Sequence, residues 1–188
     1  QAIIKITVTA CIALALFLQP KEVRNVKFSA KQLTFSAMAM ALAMVLSMIK
    51  ILDMPLGGSA TLCSMFFITL AGYVYGPKAG LLTGISYGLL QFVIDPVFYT
   101  LPQMLTDYPL AFGALGLSGF FWNKKWGLQI GYVVGIIGRF IFSWLSGVIF
   151  FAAYAEGSGM PPVLYSFCYN GSYMAAEGVI TLIIISIP

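Results

Sequence analysis

Apolar residues run in long blocks along this chain, separated by short clusters of charge, glycine and proline. Seven blocks are long enough, or nearly so, to cross a hydrocarbon core of about 30 Å as helices. They fall near residues 2–19, 32–51, 61–76, 79–94, 108–122, 128–153 and 165–187. The third and fourth are short and parted only by Gly76-Pro77-Lys78, which predicts a tight helical hairpin. The sixth is long enough to tilt or to project from the membrane. The chain opens on Gln1, and the first apolar run reads as a true span rather than a signal-like segment. No linker, low-complexity tract or internal repeat interrupts the pattern. The expected fold is an all-α, polytopic membrane bundle.

Composition agrees and removes several function classes. Of the 188 residues, 60% are hydrophobic and 9% charged, too little charge to cover a soluble domain. Histidine is absent from the sequence, which removes His-based metal sites and the commonest general base. Cys11, Cys63 and Cys168 lie in apolar runs without metal-like spacing and read as buried, inert thiols. The sequence holds no Gly-x-x-x-x-Gly-Lys-Ser/Thr stretch, so uphill transport would need a partner's nucleotide site.

Charge then orients the spans. Lys21, Arg24, Lys27, Lys31, Lys78, Lys124 and Lys125 fall on one set of connections, while Lys50, Asp53, Asp95 and Glu156 fall on the other. Seven basic residues against one predict that the first set is cytoplasmic, with the N-terminus outside and the C-terminus inside. The net charge of +4 follows from these short loops and does not suggest a nucleic-acid groove.

With that orientation, polar residues gather at one level. Asp107 and Tyr108 open the fifth span at its outer end. Tyr165, Tyr169 and Asn170 lie in the outer part of the seventh. Arg139, Ser143, Gly147 and Phe151 follow one another at i, i+4 spacing on one stripe of the sixth. A carboxylate, aromatic rings, an amide and hydroxyls at one depth suit a small-molecule pocket. Asp107 before Tyr-Pro also suits a helix N-cap, and the tyrosines alone also suit an interfacial belt. Arg139 and Glu177, the other charges within spans, read as internally paired groups that fix packing, or else as pocket residues. Trp122 and Trp126 flank a cytoplasmic loop as interface anchors. Ala37 and Ala41 form a small-xxx-small pair in the second span, open either to a neighbouring helix of this chain or to a partner.

Five stretches occur in the order and spacing of one family: Met54 to Ser59 (MPLGGS), Gly76 to Gly84 (GPKAGLLTG), Asp107 to Gly119 (DYPLAFGALGLSG), Arg139 to Phe151 (RFIFSWLSGVIFF) and Tyr165 to Met174 (YSFCYNGSYM). In these the chain resembles the thiamine-specific S components of energy-coupling-factor (ECF) vitamin transporters, over roughly residues 32–187. The resemblance implies a six-helix S-component core over residues 32–188. Residues 1–31 would add an extra N-terminal transmembrane helix and its basic loop.

It also implies roles. An acidic residue followed by Tyr contacts thiamine in that family, which points to Asp107 and Tyr108; the acid is often Glu. Tyr165 and Asn170 match the family's Tyr and Asn. Phe151 stands where some members stack a Trp on the aminopyrimidine, and Ser143 where His is frequent. Around Gly58 to Leu62 the Trp and acid of some members are missing. The family's alanine motif implies that Ala37 and Ala41 dock onto a transmembrane coupling subunit served by two ATPases. Thiamine is then a transported ligand rather than a cofactor, and the protein is a bacterial cell-membrane subunit, not an enzyme. Hydroxymethylpyrimidine or pyridoxine as ligand, a non-transporting scaffold, and an intramembrane enzyme are the competing readings.

Overall fold

Helices form wherever an apolar run lacks an internal break, and the computed structural model describes residues 29–187. The first span, with Cys11, Lys21, Arg24 and Lys27, lies outside the described residues. Helix α1 (Ala30–Ser47) starts at a capping box. The Gln32 N–H donates to Ser29 Oγ at 3.2 Å and the Ser29 N–H to Gln32 Oε1 at 2.9 Å. Helices α2 (Ser64–Tyr75) and α3 (Pro77–Ile94) meet at Gly76, whose φ of 86° suits glycine. This is the tight hairpin expected from Gly-Pro-Lys. Helix α4 covers residues 101–121, followed by α5 (Gly127–Phe150) and α6 (Pro162–Ser186). By length and composition α1, α5 and α6 can each cross a membrane.

Two expectations are corrected. Helix α4 begins at Leu101 instead of near residue 108, so Asp107 is not its N-cap. Thr100 caps it by accepting the Gln103 N–H at 3.3 Å, and Pro102 sits in the first turn, where a missing N–H costs nothing. The helix runs as α over Leu101–Leu105, widens to π over Thr106–Leu110, returns to α over Ala111–Gly113 and tightens to 3-10 over Ala114–Phe121. Pro109 lies inside the π turn. Its ring crowds the preceding turn and it cannot donate, so the helix widens there instead of ending.

The second correction lies between α1 and α2. The ends of the spans drawn at 32–51 and 61–76 form an antiparallel hairpin, β1 (Lys50–Asp53) with β2 (Ser59–Thr61). Its turn uses Gly57 and Gly58 at φ of 100° and 78°, and Ser59 Oγ donates to Asp53 Oδ1 at 2.6 Å.

Helix α4 is the hub, packed on α2, α3 and α5; α1 lies on α2 and α3, and α6 on α5. The α3–α4 seam is backbone on backbone. A Cβ at Gly84 would stand 2.5 Å from the Phe112 carbonyl oxygen, and Gly88 abuts the Tyr108 carbonyl. Small residues permit that approach, and it fixes the height of Tyr108.

Glu177 of α6 is buried, and no basic side chain is among its hydrogen-bond partners. Its Oε2 accepts Thr61 Oγ1 at 2.6 Å and the Thr61 N–H at 3.3 Å; its Oε1 accepts the Met65 N–H at 3.0 Å and Ser64 Oγ at 3.1 Å. Cys63, the N-cap of α2, makes no capping bond with its own side chain. Glu177 supplies that cap from another helix, where a carboxylate suits the positive helix end. Glu177→Leu should leave these donors unmet and lower stability by about 2 kcal/mol. Thermal unfolding in detergent measures this, and an unchanged midpoint would show that the clamp carries no stability.

Candidate functional site

Helix α5 turns one stripe inward: Arg139, Ser143, Gly147 and its cap residue Phe151 all line a cavity of about 660 Å³. Opposite, α4 supplies Asp107, Tyr108 and Phe112, and α6 supplies Tyr165, Tyr169, Asn170 and Tyr173. Leu56 in the β1–β2 turn completes the wall. The seven candidates from the sequence (Asp107, Tyr108, Ser143, Phe151, Tyr165, Tyr169 and Asn170) therefore share one cavity.

Their partners show what each is able to do. Asp107 Oδ2 accepts from Gln103 Nε2 at 2.7 Å, one turn earlier on α4. Gln103 is fully buried; it also donates to the Val97 carbonyl at 3.1 Å and accepts the Tyr99 N–H at 3.0 Å. This glutamine thus ties the α3–α4 loop to the carboxylate. Tyr108 works beside it: its hydroxyl donates to the Asp95 carbonyl at 2.8 Å and accepts the Val97 N–H at 3.0 Å. The Tyr108 ring is left as wall.

On α6 the rings of Tyr165 and Tyr169 stack at 6.2 Å, and Tyr173 meets Tyr169 edge-on at 6.0 Å. The hairpin turn lies on this ladder. A Cβ at Gly57 would be 3.0 Å from Tyr169 Cε2, and one at Gly58 would be 2.9 Å from Tyr173 Cδ1. Asn170 lines the cavity while its amide ties α6 to α5: Nδ2 donates to the Ser166 carbonyl at 3.1 Å and the Ser143 carbonyl at 3.3 Å, and Oδ1 accepts Tyr173 O–H at 3.0 Å, with a second lone pair left over. The Phe151 ring stands edge-on to Tyr99 at 5.3 Å. Beside it the hydroxyls of Tyr99 and Tyr154 lie 3.0 Å apart, bridging the α3–α4 and α5–α6 connections.

Arg139, read from the sequence first as an internally paired group and only second as a pocket residue, lines the cavity. Its guanidinium lies 4.2 Å from the Phe112 ring centroid, and its Nε is buried without a hydrogen-bond partner among the described residues. An internally paired arginine is thus not what the structure shows. Gln103, Tyr173 and Leu56 were missed. Tyr173 was findable as the i+4 continuation of Tyr165 and Tyr169, and Gln103 as the i−4 neighbour of Asp107. Leu56 carried no such signal, because its position depends on a turn. A cavity with a carboxylate, a guanidinium and aromatic faces suits a flat, dipolar ligand.

Residues 33–188 match the family described as Thiamine transporter protein (Thia_YuaJ). The chain belongs to that family. Within the thiamine transporter family, it is 34% identical over 165 residues to Thiamine transporter ThiT of Bacillus subtilis, covering 79% of this chain and 85% of that protein. Another ThiT, from Lacticaseibacillus paracasei, is 27% identical over 130 residues, covering 62% of this chain and 60% of its own. A solved structure of ThiT from Listeria monocytogenes superposes with a TM-score of 0.70 at 26% identity, over 83% of this chain and 91% of that one. Family membership covers all six described helices, and with them every wall of the cavity. The protein is an all-α membrane protein of the thiamine transporter family.

Proposed function

We propose that this protein binds thiamine and serves its uptake as the substrate-capture subunit of an ECF-type transporter. The observation that carries the reading is the pairing of Asp107 with aromatic faces in one cavity of a chain related to proteins named Thiamine transporter ThiT. Thiamine carries a permanent thiazolium charge and a flat aminopyrimidine. A carboxylate neutralises the first or accepts from the second ring's amine, and Phe151, Tyr165 and Tyr169 offer faces to both. Tyr108, Ser143 and Asn170 complete the ligand set. With no P-loop in the sequence, energy would come from two partner ATPases through a transmembrane coupling subunit docked at Ala37 and Ala41. The positive-inside bias supports a pocket opening outward and a cytoplasmic C-terminus, with residues 1–31 adding a span outside the capture core.

Calorimetric titration of the purified protein with thiamine, hydroxymethylpyrimidine and pyridoxine tests this. Tightest binding of thiamine is the expected result; preference for either of the others reassigns the ligand, and silence with all three returns the protein to a scaffold role. Phe151 gives a finer test. Phe151→Ala should cost about 1–3 kcal/mol of thiamine binding, while Phe151→Trp should hold or improve it through a larger face. Equal affinities for all three proteins would remove this ring from the ligand set.

A further inference from the structure

A carboxylate in a membrane helix is costly unless something holds it. Its direction matters as well, because an ionised carboxyl group turns about its last bond and has room for about four hydrogen bonds. One oxygen of Asp107 is tied down: Oδ2 accepts Gln103 Nε2 at 2.7 Å. Gln103 itself is fully buried and is not among the residues that line the cavity. It stands behind the acid, out of reach of anything that enters.

Three hydrogen bonds fix this amide. Besides meeting Asp107, Nε2 donates to the Val97 carbonyl at 3.1 Å, and Oε1 accepts the Tyr99 N–H at 3.0 Å. A side-chain amide has a donor end and an acceptor end. The backbone of residues 97–99 presents one acceptor and one donor to it, so a single orientation satisfies both. In that orientation Nε2, and not Oε1, faces the carboxylate. A flipped amide would set oxygen against oxygen at Asp107 and leave the loop's own groups unmet. The α3–α4 connection thereby secures a donor at Asp107.

The same stretch of loop sets the next residue. The Val97 N–H donates to the Tyr108 hydroxyl at 3.0 Å. Both backbone polar groups of Val97 are thus taken by side chains of α4, Gln103 on one and Tyr108 on the other. Val97 itself lines the cavity. One loop residue keeps the supports of two neighbouring cavity residues in register. The donor chosen is also neutral. A lysine in that place would hold the acid but offset the charge that a cationic ligand needs.

We propose that Gln103 is a positioning residue for ligand capture: it pins Oδ2 of Asp107 so that Oδ1 is aimed at the cationic ring or its amine. The inference rests on the thiamine reading of the cavity, in which Asp107 is the anionic contact. A carboxylate already fixed in direction needs no further ordering when the ligand arrives, and its charge-assisted bond is made at good alignment.

Calorimetric titration of thiamine into the wild type, Gln103→Met, Asp107→Asn and the double variant tests it. Methionine fills a similar volume without a donor. Gln103→Met should weaken thiamine about tenfold in the wild-type background, and less than about twofold once Asp107→Asn is present, where there is no charge to aim. A loss of the same size in both backgrounds overturns the positioning role, since a residue that only supports the fold costs alike with or without the charge. Unchanged affinity in Gln103→Met overturns it too. If that variant does not fold, Gln103→Asn takes its place in the same comparison, because it keeps an amide for the loop but falls one methylene short of the carboxylate. Failure of both to fold makes Gln103 a structural residue and overturns the proposal. Equal thiamine binding by the wild type and Asp107→Asn removes the positioning role while thiamine remains the ligand. Wild-type protein that does not bind thiamine overturns the thiamine reading itself.

Discussion

Asp107→Asn should weaken thiamine binding about tenfold to a hundredfold while the fold persists. The asparagine fills the same volume and keeps a carbonyl oxygen for Gln103 Nε2, which now sits 2.7 Å from the carboxylate. What disappears is the charge, and a hydrogen bond to a charged group contributes roughly 1.5–3 kcal/mol. The helix start is unaffected, because Thr100 caps it. The outcome therefore reports on the cavity and not on α4. Calorimetry gives the dissociation constant, and thermal unfolding without ligand gives the control. An unchanged dissociation constant would remove Asp107 from the ligand set.

The second large effect belongs to α1, away from the cavity-lining residues. Replacing Ala37 and Ala41 together by Trp should abolish ATP-driven uptake and co-purification with a coupling subunit, yet leave thiamine binding by the isolated protein. Among the described residues both alanines are exposed, and Met38 and Leu42 beside them are 60% and 46% exposed. The inward packing of α1 uses Ala39, Ala43 and Met44 instead. No α1 residue lines the cavity. Association in lipid depends on close packing rather than a hydrophobic drive, so two indoles on a small-residue stripe hold a partner helix away. A pull-down and vesicle uptake, run beside a titration, separate the outcomes. Retained uptake would rule out docking at this stripe, and lost binding would show that it supports the fold of the pocket.

How much of this was legible in the sequence differs by element. The long apolar helices were readable because composition alone selects them, and the α2–α3 turn because Gly76-Pro77 leaves few alternatives. The residues that share the cavity were readable as polar groups at one depth on spans whose order the loop charges set. The β1–β2 hairpin was not, since strands of four and three residues, with the first fully exposed, show no alternation. The start of α4 was missed because Leu101-Pro102-Gln103 resembles a loop until Thr100 is seen to cap it. Arg139 and Glu177 looked alike in sequence, two isolated charges in apolar helices. Tertiary contacts separate them: one meets a fan of neutral donors, the other an aromatic face and open space.

The π turn around Pro109 sets the phase of the whole site. In an α-helix, residues five apart point about 140° away from each other. Asp107 and Phe112 are five apart, yet both face the cavity, because a turn that closes on the fifth residue brings them into line. If the same residues, Thr106–Leu110, closed as a regular α turn, local bonding would improve. Asp107 would then point about 140° away from Phe112, off the cavity wall. The irregularity that makes this helix locally less favourable is what aims its carboxylate.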